Sequence, residues 1–388
     1  MNISFSKARI GFFQKLGCLL ESFQQKLNAL PLENRLWLHA VSVGELNAAQ
    51  PLIQALGQQY SLVLSTTTQT GQNLAKQRYP DLPVFYFPFD LPWVIGPILN
   101  QIQPAKILIL ETEIWPCFLG IAHQRHIPVY MINGRLSERS FRSYHRFRWF
   151  FKPILSKYTR LLMQSETDGK RMIALGAPPD KVLSVGNMKF DYTPIESVKN
   201  LKQEFHWQPE DKILVFASTH AGEDELFIEL GQKFPTLKII LAPRHPERVP
   251  EVSALLTKAG IDFTYRTHLK PSSWILLDTI GELRDVFAMS TLAVMGGSFV
   301  PSGGHNPLEP IQAGIPVIFG PHMQNFQDVA RLVLADGAGF QAQSIKEAES
   351  QIKHLLTDNE AYRHTIHQGQ QLLAANRGTT EKIIQLIT

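Results

Sequence analysis

The chain has 388 residues, 44% of them apolar, and a formal net charge of +4. That length accommodates two domains with full cores, and so small a positive excess does not argue for a nucleic-acid partner. Two cysteines, Cys18 and Cys117, are too few for a disulfide framework and fit a reducing, cytoplasmic setting. No apolar run reaches the ~18 residues a bilayer-spanning helix needs, and the start has no cleavable signal pattern.

Residues 5–29 are predicted to be helical, with Phe12, Leu16, Leu19, Leu20 and Phe23 on one broad face. Lys7, Arg9, Lys15 and Lys26 oppose a single acid, Glu21, so the helix either packs on the body or lies on anionic lipid. Strand and helix patterns then alternate. Strands are expected at residues 36–41, 61–65, 84–87, 106–110, 128–132, 161–164 and 182–185, with a helix over 46–56. The periodicity lapses over residues 187–207, which reads as an interdomain linker. It restarts with strands at 213–217, 237–241, 274–277, 291–295 and 316–319. This is the rhythm of two doubly wound α/β domains, expected at residues 1–190 and 191–388 with a cleft between them. The last helix is expected to pack back on the first domain.

Candidate chemistry sits at strand ends. Ser42, Val43, Gly44 and Glu45 follow the first strand. Ser-x-x-Glu is a capping box, yet a carboxylate there also suits a general base, and the helix start should favour its ionised form. Glu111 and Glu113 end the strand KILIL, where they can orient a hydroxyl, hold a metal or cap a turn. No Asp-x-Asp pair is present, which favours a metal-free mechanism. Residues 135–160 hold eight basic residues, among them Arg135, Arg139, Arg142, Arg146 and Arg148, against one acid, Glu138. Phe147, Phe150, Phe151, Ile154, Leu155 and Tyr158 share a helical face that Pro153 interrupts or restarts. The segment is either a core helix with a solvated basic face or a surface for phosphorylated lipid headgroups.

In the second half, Ser218, Thr219, His220 and Glu223 start a helix after a strand. Arg244 and His245 follow the next strand, where Arg244 can grip a phosphate or carboxylate. Gly296, Gly297 and Ser298 end a buried strand; His305, Asn306, Pro307 and Glu309 then open a helix. Free N–H groups at that helix start and loop suit an anion, although the glycines equally suit tight turns and Glu309 a capping box. Spacing departs from both standard nucleotide fingerprints. His220, His245 and His305 match no common zinc spacing.

Eight stretches resemble the Kdo transferases, which attach 3-deoxy-D-manno-octulosonic acid to lipid A precursors. They are WLHAVSVGE (37–45), STTTQTG (65–71), ETEIWP (111–116), NGRLSERS (133–140), GNMKFD (186–191), STHAGE (218–223), APRHPER (242–248) and GGSFVPSGGHNPLEP (296–310). The resemblance covers about residues 35–330, in order. It implies a GT-B fold of two Rossmann-like domains, the first binding the lipid acceptor and the second CMP-Kdo, with no metal or other cofactor. It implies Glu45 as general base and Glu111 and Glu113 as acceptor-side carboxylates. Donor contacts would be Lys189, Ser218, Thr219, His220, Arg244, His245, Gly296, Gly297, Ser298, His305, Asn306 and Glu309. Ser42, Gly44 and the arginines at 135, 139, 142, 146 and 148 would face the acceptor and an anionic membrane, at the cytoplasmic side of the bacterial inner membrane. The family's N-terminal anchoring helix is expected to be absent here. The alternatives are a GT-B enzyme or 2-epimerase using a UDP-sugar, or a non-catalytic nucleotide or lipid-headgroup binding protein.

Overall fold

A computed structural model describes residues 12–191 and 201–388. The chain forms two compact units, residues 1–193 with 376–388, and residues 194–375. The start of the expected N-terminal helix, with Lys7 and Arg9, and residues 192–200 of the expected linker lie outside the described residues.

The first unit is built on β1 (Arg35–His39), β2 (Ser61–Thr66), β3 (Val84–Tyr86), β4 (Lys106–Leu110), β5 (Val129–Gly134), β6 (Arg160–Met163) and β7 (Val182–Ser184). They form one parallel sheet in the order β3-β2-β1-β4-β5-β6-β7. Alternate residues serve opposite faces. Trp37, Val63, Ile107, Ile109 and Met131 pack into one buried cluster. Leu36, Leu38, Leu62, Leu64, Leu108, Leu110 and Ile132 pack into the other. Strands buried on both faces need uninterrupted apolar runs, which is why KILIL and its neighbours stood out. Strand order reverses between β1 and β4. The loops after these two strands therefore diverge and leave room at the carboxyl edge.

The second unit repeats the plan with β8 (Ile213–Thr219), β9 (Lys238–Pro243), β10 (Phe263–Tyr265), β11 (Trp274–Leu276), β12 (Leu292–Met295), β13 (Val317–Phe319) and β14 (Phe340–Gln341). The order is β10-β11-β9-β8-β12-β13-β14, again parallel, with its reversal between β8 and β12. The edge strands β10 and β14 have three and two residues. Neither was expected from sequence.

Two predicted helices are broken. The N-terminal one is interrupted at Gly17, whose φ is +95°, and resumes only at Glu21–Ala29. The helix expected over 46–56 is two, Val43–Ala48 and Gln50–Gly57, with Pro51 in the first turn of the second.

The chain's last helix, Thr379–Ile387, belongs to the first unit, where Ile383 and Ile387 join the core cluster of Leu36 and Leu38. Asp191 holds its start. The carboxylate accepts from the N–H of Gly378 at 2.9 Å and Thr379 at 3.3 Å, from the N–H of Thr380, and from the Thr380 hydroxyl at 2.6 Å. This is an N-cap supplied from far away in sequence, and a negative charge at a helix start. Asp191→Ala should therefore lower unfolding free energy by about 1–2 kcal/mol and speed amide exchange over residues 379–387 first. Unchanged exchange there would show that core packing alone seats the helix.

Candidate active site

In the first unit, three carboxylates gather at the carboxyl edge of the sheet, by the switch point. Glu45 lies in the first turn of Val43–Ala48 and is 8% exposed. Its Oε2 accepts from the Val41 N–H at 2.7 Å, and Oε1 from the Ser42 hydroxyl at 3.2 Å. Glu111 closes β4 in the left-handed region, with φ +57°, a strained setting for a non-glycine residue. The turn behind it is fixed by Thr112, whose hydroxyl donates to the Arg135 carbonyl and accepts from the Arg135 N–H at 3.0 Å. The Tyr158 hydroxyl donates to the Glu113 carbonyl at 2.7 Å. Lys189, expected among donor contacts, lies in this unit with Nζ 3.8 Å from Glu111 Oε1.

Burial, and then the charge of Glu111, push the Glu45 carboxyl up to about 8. Burial followed by Glu111 also raises Glu113. The expectation that the helix start would hold Glu45 ionised is overturned. A six-residue helix has a weak dipole, and desolvation with like-charge repulsion outweighs it. Gly44 is exposed, and a Cβ there would meet nothing nearer than the Ser42 hydroxyl at 3.8 Å, so packing does not demand glycine beside Glu45.

In the second unit the glycine loop is already occupied by the protein's own anion. Glu223, fully buried, accepts four backbone N–H bonds. Oε2 takes those of His220 at 3.0 Å and Gly297 at 2.6 Å. Oε1 takes those of Ser298 at 3.0 Å and Phe299 at 2.8 Å. Successive N–H groups do form an anion nest, as the sequence suggested, but the occupant is internal. The expected phosphate contacts from the N–H groups of Gly297 and Ser298 are thereby corrected. Gly296 is also committed: its N–H donates to Ala217 O at 2.7 Å, and a Cβ there would lie 2.5 Å from Ser218 O. Ser298, wholly buried, donates its hydroxyl to Met295 O at 2.6 Å and accepts from Gly320 N–H at 2.7 Å. Thr219 is buried too, donating to Asp224 Oδ1 at 2.6 Å, and Arg248 reaches Asp224 Oδ2 at 2.6 Å. Gly296 thus ties β12 to β8, Ser298 ties the ends of β12 and β13, and the Thr219 side chain is held by Asp224 of the following helix, so all three are spent within the protein.

Around this tie lie the groups that remain presentable. Ser218, the next-to-last residue of β8, has φ +59°. The His220 and His305 rings stack, with Nε2 to Nε2 at 2.8 Å, and His245 meets His220 edge-on at 5.6 Å between centroids. Burial and then the Arg244 charge lower His305 to about 3; burial, then His245, lowers His220. Both rings are therefore neutral, one donating and the other accepting. Arg244 and His245 are exposed. The Arg244 charge acts on Glu309, opposing the larger effect of surrounding protein, which raises that carboxyl although the side chain keeps solvent access. Asn306 Oδ1 accepts from Leu308 N–H at 3.2 Å, and its side chain also bonds Glu309, but the helix starts at Leu308 with Pro307 as its N-cap, one residue later than expected. The helix that follows, Leu308–Gln312, has only five residues, so its dipole contributes far less than the sequence implied.

The aromatic-basic segment divides into Glu138–His145 and Arg148–Leu155, breaking at Phe147, before Pro153. The expected shared face divides too. Phe151 packs on the core, while Ile154, Leu155 and Tyr158 lie within it; Phe147 (52%), Trp149 (75%) and Phe150 (43%) are exposed. Arg139, Arg142, Arg146 and Arg148 are all exposed, and Arg142 pairs with Glu138 at 2.9 Å.

Sequence reasoning gives Glu223 no role at the site. A Glu in Ser-Thr-His-Ala-Gly-Glu looked like a local cap, and nothing in sequence links it to a loop 74 residues away. Glu223→Gln puts an amide NH2 against two of the four N–H donors. It should cost about 2–4 kcal/mol of stability and shift the amide resonances of residues 297–299. Glu223→Asp, too short to span both arms, should fall between. A Gln variant as stable as wild type would contradict the internal-anion assignment.

Residues 7–192 match the family model of the 3-deoxy-D-manno-octulosonic-acid transferases (kdotransferases). A 3-deoxy-D-manno-octulosonic acid transferase from Haemophilus influenzae is 34% identical over 98% of this chain and 90% of its own. One from Bordetella pertussis is 32% identical over 92% and 87%. Among solved structures, UDP-GlcNAc 2-epimerase from Neisseria meningitidis aligns at a TM-score of 0.62 over 91% of this chain and 99% of that one; at 15% identity it shares the fold alone. With two parallel seven-stranded α/β sheets and relatives matching along nearly its whole length, the chain belongs to the Kdo transferase family and is a glycosyltransferase of the GT-B fold.

Proposed function

We propose that this enzyme moves Kdo from CMP-Kdo to a lipid A precursor, lipid IVA, and releases CMP, by a metal-independent inverting displacement at the cytoplasmic face of the bacterial inner membrane. The reading is carried by Glu45, a carboxyl with a pKa of about 8, beside Glu111 and Glu113 at the sheet edge of a Kdo transferase family member. An acceptor hydroxyl attacks the anomeric carbon of Kdo. The new C–O bond forms as the bond to the CMP phosphate breaks, the electron pair leaves with CMP, and Glu45 takes the hydroxyl proton. Glu111 and Glu113 hold the acceptor and raise the proton affinity of Glu45. Gly44 leaves space for it to approach.

Glu45, Glu111, Glu113 and Lys189 lie in the first unit, and the other groups suited to the donor lie in the second. With the loop N–H groups held by Glu223, the charge of the leaving phosphate falls chiefly to Arg244, which is exposed and aims at no acid by a hydrogen bond among the described residues. Glu309 and Asn306 suit the ribose, His220, His245, His305 and Ser218 the rest of the nucleotide sugar, and Lys189 the donor carboxylate. Among the described residues no helix is long and apolar enough to cross a membrane. We place the enzyme at the surface through its exposed arginines and aromatics, Arg135 lying at the acceptor side of that segment.

Incubation with CMP-Kdo and tetraacylated lipid A precursor should yield CMP and a product heavier by Kdo, read by mass spectrometry. CMP-Kdo left intact while a UDP-sugar is consumed would overturn the reading. Glu45→Gln should lower single-turnover transfer by about 10²–10⁴ with little change in CMP-Kdo affinity; a near-normal rate would move the base to Glu111 or Glu113. The wild-type rate should climb with pH through about 8. The sign for stability is opposite. A carboxyl raised above its unfolded value stabilises fully below that value, and the contribution is lost as pH rises through about 8. Glu45→Gln should therefore gain in melting temperature relative to wild type as pH rises from about 4.5 to about 8, and gain no further above that.

A further inference from the structure

Helices Arg148–Leu155 and Glu166–Leu175, which flank β6 in the chain, enclose a hollow in the first unit. Its volume is about 520 Å³, and its lining includes Arg148, Lys152, Pro153, Ile173, Ala177 and Pro178. Its floor is built for close approach. Gly176 ends the second helix with φ +115°, and a Cβ there would lie 2.7 Å from Lys152 Cβ, so the Lys152 stem packs flat on it.

Arg148 and Lys152 stand one helical turn apart on one face, close enough to share one anion. Neither side chain makes an ion pair or hydrogen bond among the described residues. Their neighbour Lys181 is differently employed. Its Nζ donates to Ser156 O at 2.7 Å and Tyr158 O at 2.9 Å, satisfying carbonyls at the helix end. The chain has no acid between Glu138 and Glu166, so nothing in that stretch competes for the two cations. Apart from Ser156, the remaining wall is apolar: three prolines, an isoleucine, an alanine and Gly176. Beside it on the same helix stand the exposed rings of Trp149 and Phe150. Cations over an apolar wall, flanked by exposed amphipathic aromatics, match the boundary between headgroups and acyl chains.

We propose that this hollow is a headgroup site for an anionic phospholipid of the bilayer. Arg148 and Lys152 grip the phosphate, and the glycerol and first acyl carbons lie along Pro153, Ile173 and Pro178. The proposal deepens the membrane-surface part of the functional reading and rests on it. It differs from diffuse surface charge, because one defined pocket accounts for the attachment.

The test is co-sedimentation of the full chain with phosphatidylglycerol and with phosphatidylcholine vesicles, without donor or acceptor. Wild type should bind the former and not the latter. Arg148→Gln with Lys152→Gln should weaken binding about tenfold to thirtyfold, as expected for two cations at an anionic surface. Ser156→Trp, at an exposed position on the rim, fills the hollow without changing charge and should weaken binding by a comparable factor. Arg139→Gln with Arg146→Gln removes the same charge elsewhere and should cost distinctly less. Soluble short-chain phosphatidylglycerol should displace the protein from vesicles, and inorganic phosphate at equal concentration should not. If Ser156→Trp binds normally and the two double variants are equivalent, the attachment is diffuse charge and the pocket is refuted. If inorganic phosphate competes as well as the lipid, the occupant is a free anion and the lipid assignment is refuted. A negative vesicle result leaves the transferase reading intact, since transfer to detergent-dispersed acceptor is measured separately.

Discussion

Crowding of negative charge where water is scarce governs the first unit's site. Glu45, Glu111 and Glu113 converge at one sheet edge, and a buried carboxyl next to another carboxylate holds its proton. The switch point supplies the room, and the Thr112–Arg135 hydrogen bonds supply the fixed backbone. Glu111 is held at positive φ, so its place at the strand end is enforced against local preference. Lys189 offsets part of the charge from one side. The result is a proton acceptor matched to neutral and slightly alkaline pH, which a solvated glutamate is not.

The second unit handles negative charge in the opposite way. Its glycine loop forms a nest, and the nest is filled by Glu223 from the loop after β8. Four hydrogen bonds to one carboxylate lock two strand ends into one piece. They seat His220 beside His305, and Arg244, the cation proposed for the donor phosphate, is exposed. The loop thus acts as a brace for the groups around it.

Much of this was legible in the chain because doubly buried strands write long apolar runs and their ends carry the polar residues. KILIL followed by Glu111 and Glu113 is one such place, and the strand before Gly296 is another. What was not legible depends on distance or on desolvation. Glu223 reads as a local cap because its partners lie on another loop. Glu45 reads as an ionised cap because the helix start is visible in sequence and the neighbouring Glu111 is not. The aromatic-basic segment reads as one face because periodicity continues through Phe147, where the backbone leaves the helix and sends Trp149 and Phe150 outward while Ile154 and Leu155 enter the core. Asp191 closes the GNMKFD stretch, and its partner is a helix near the far end of the chain, so a structural clamp resembles a site motif.

The account stands on Glu45 being a carboxyl whose proton affinity is set by burial and by Glu111. A direct measurement is the pH titration of the Glu45 side-chain carboxyl by carbon NMR, in wild type and in Glu111→Gln. The account predicts a wild-type midpoint of about 8 and a clearly lower one when the Glu111 charge is removed. A midpoint in the ordinary carboxylate range, unmoved by Glu111→Gln, would contradict it.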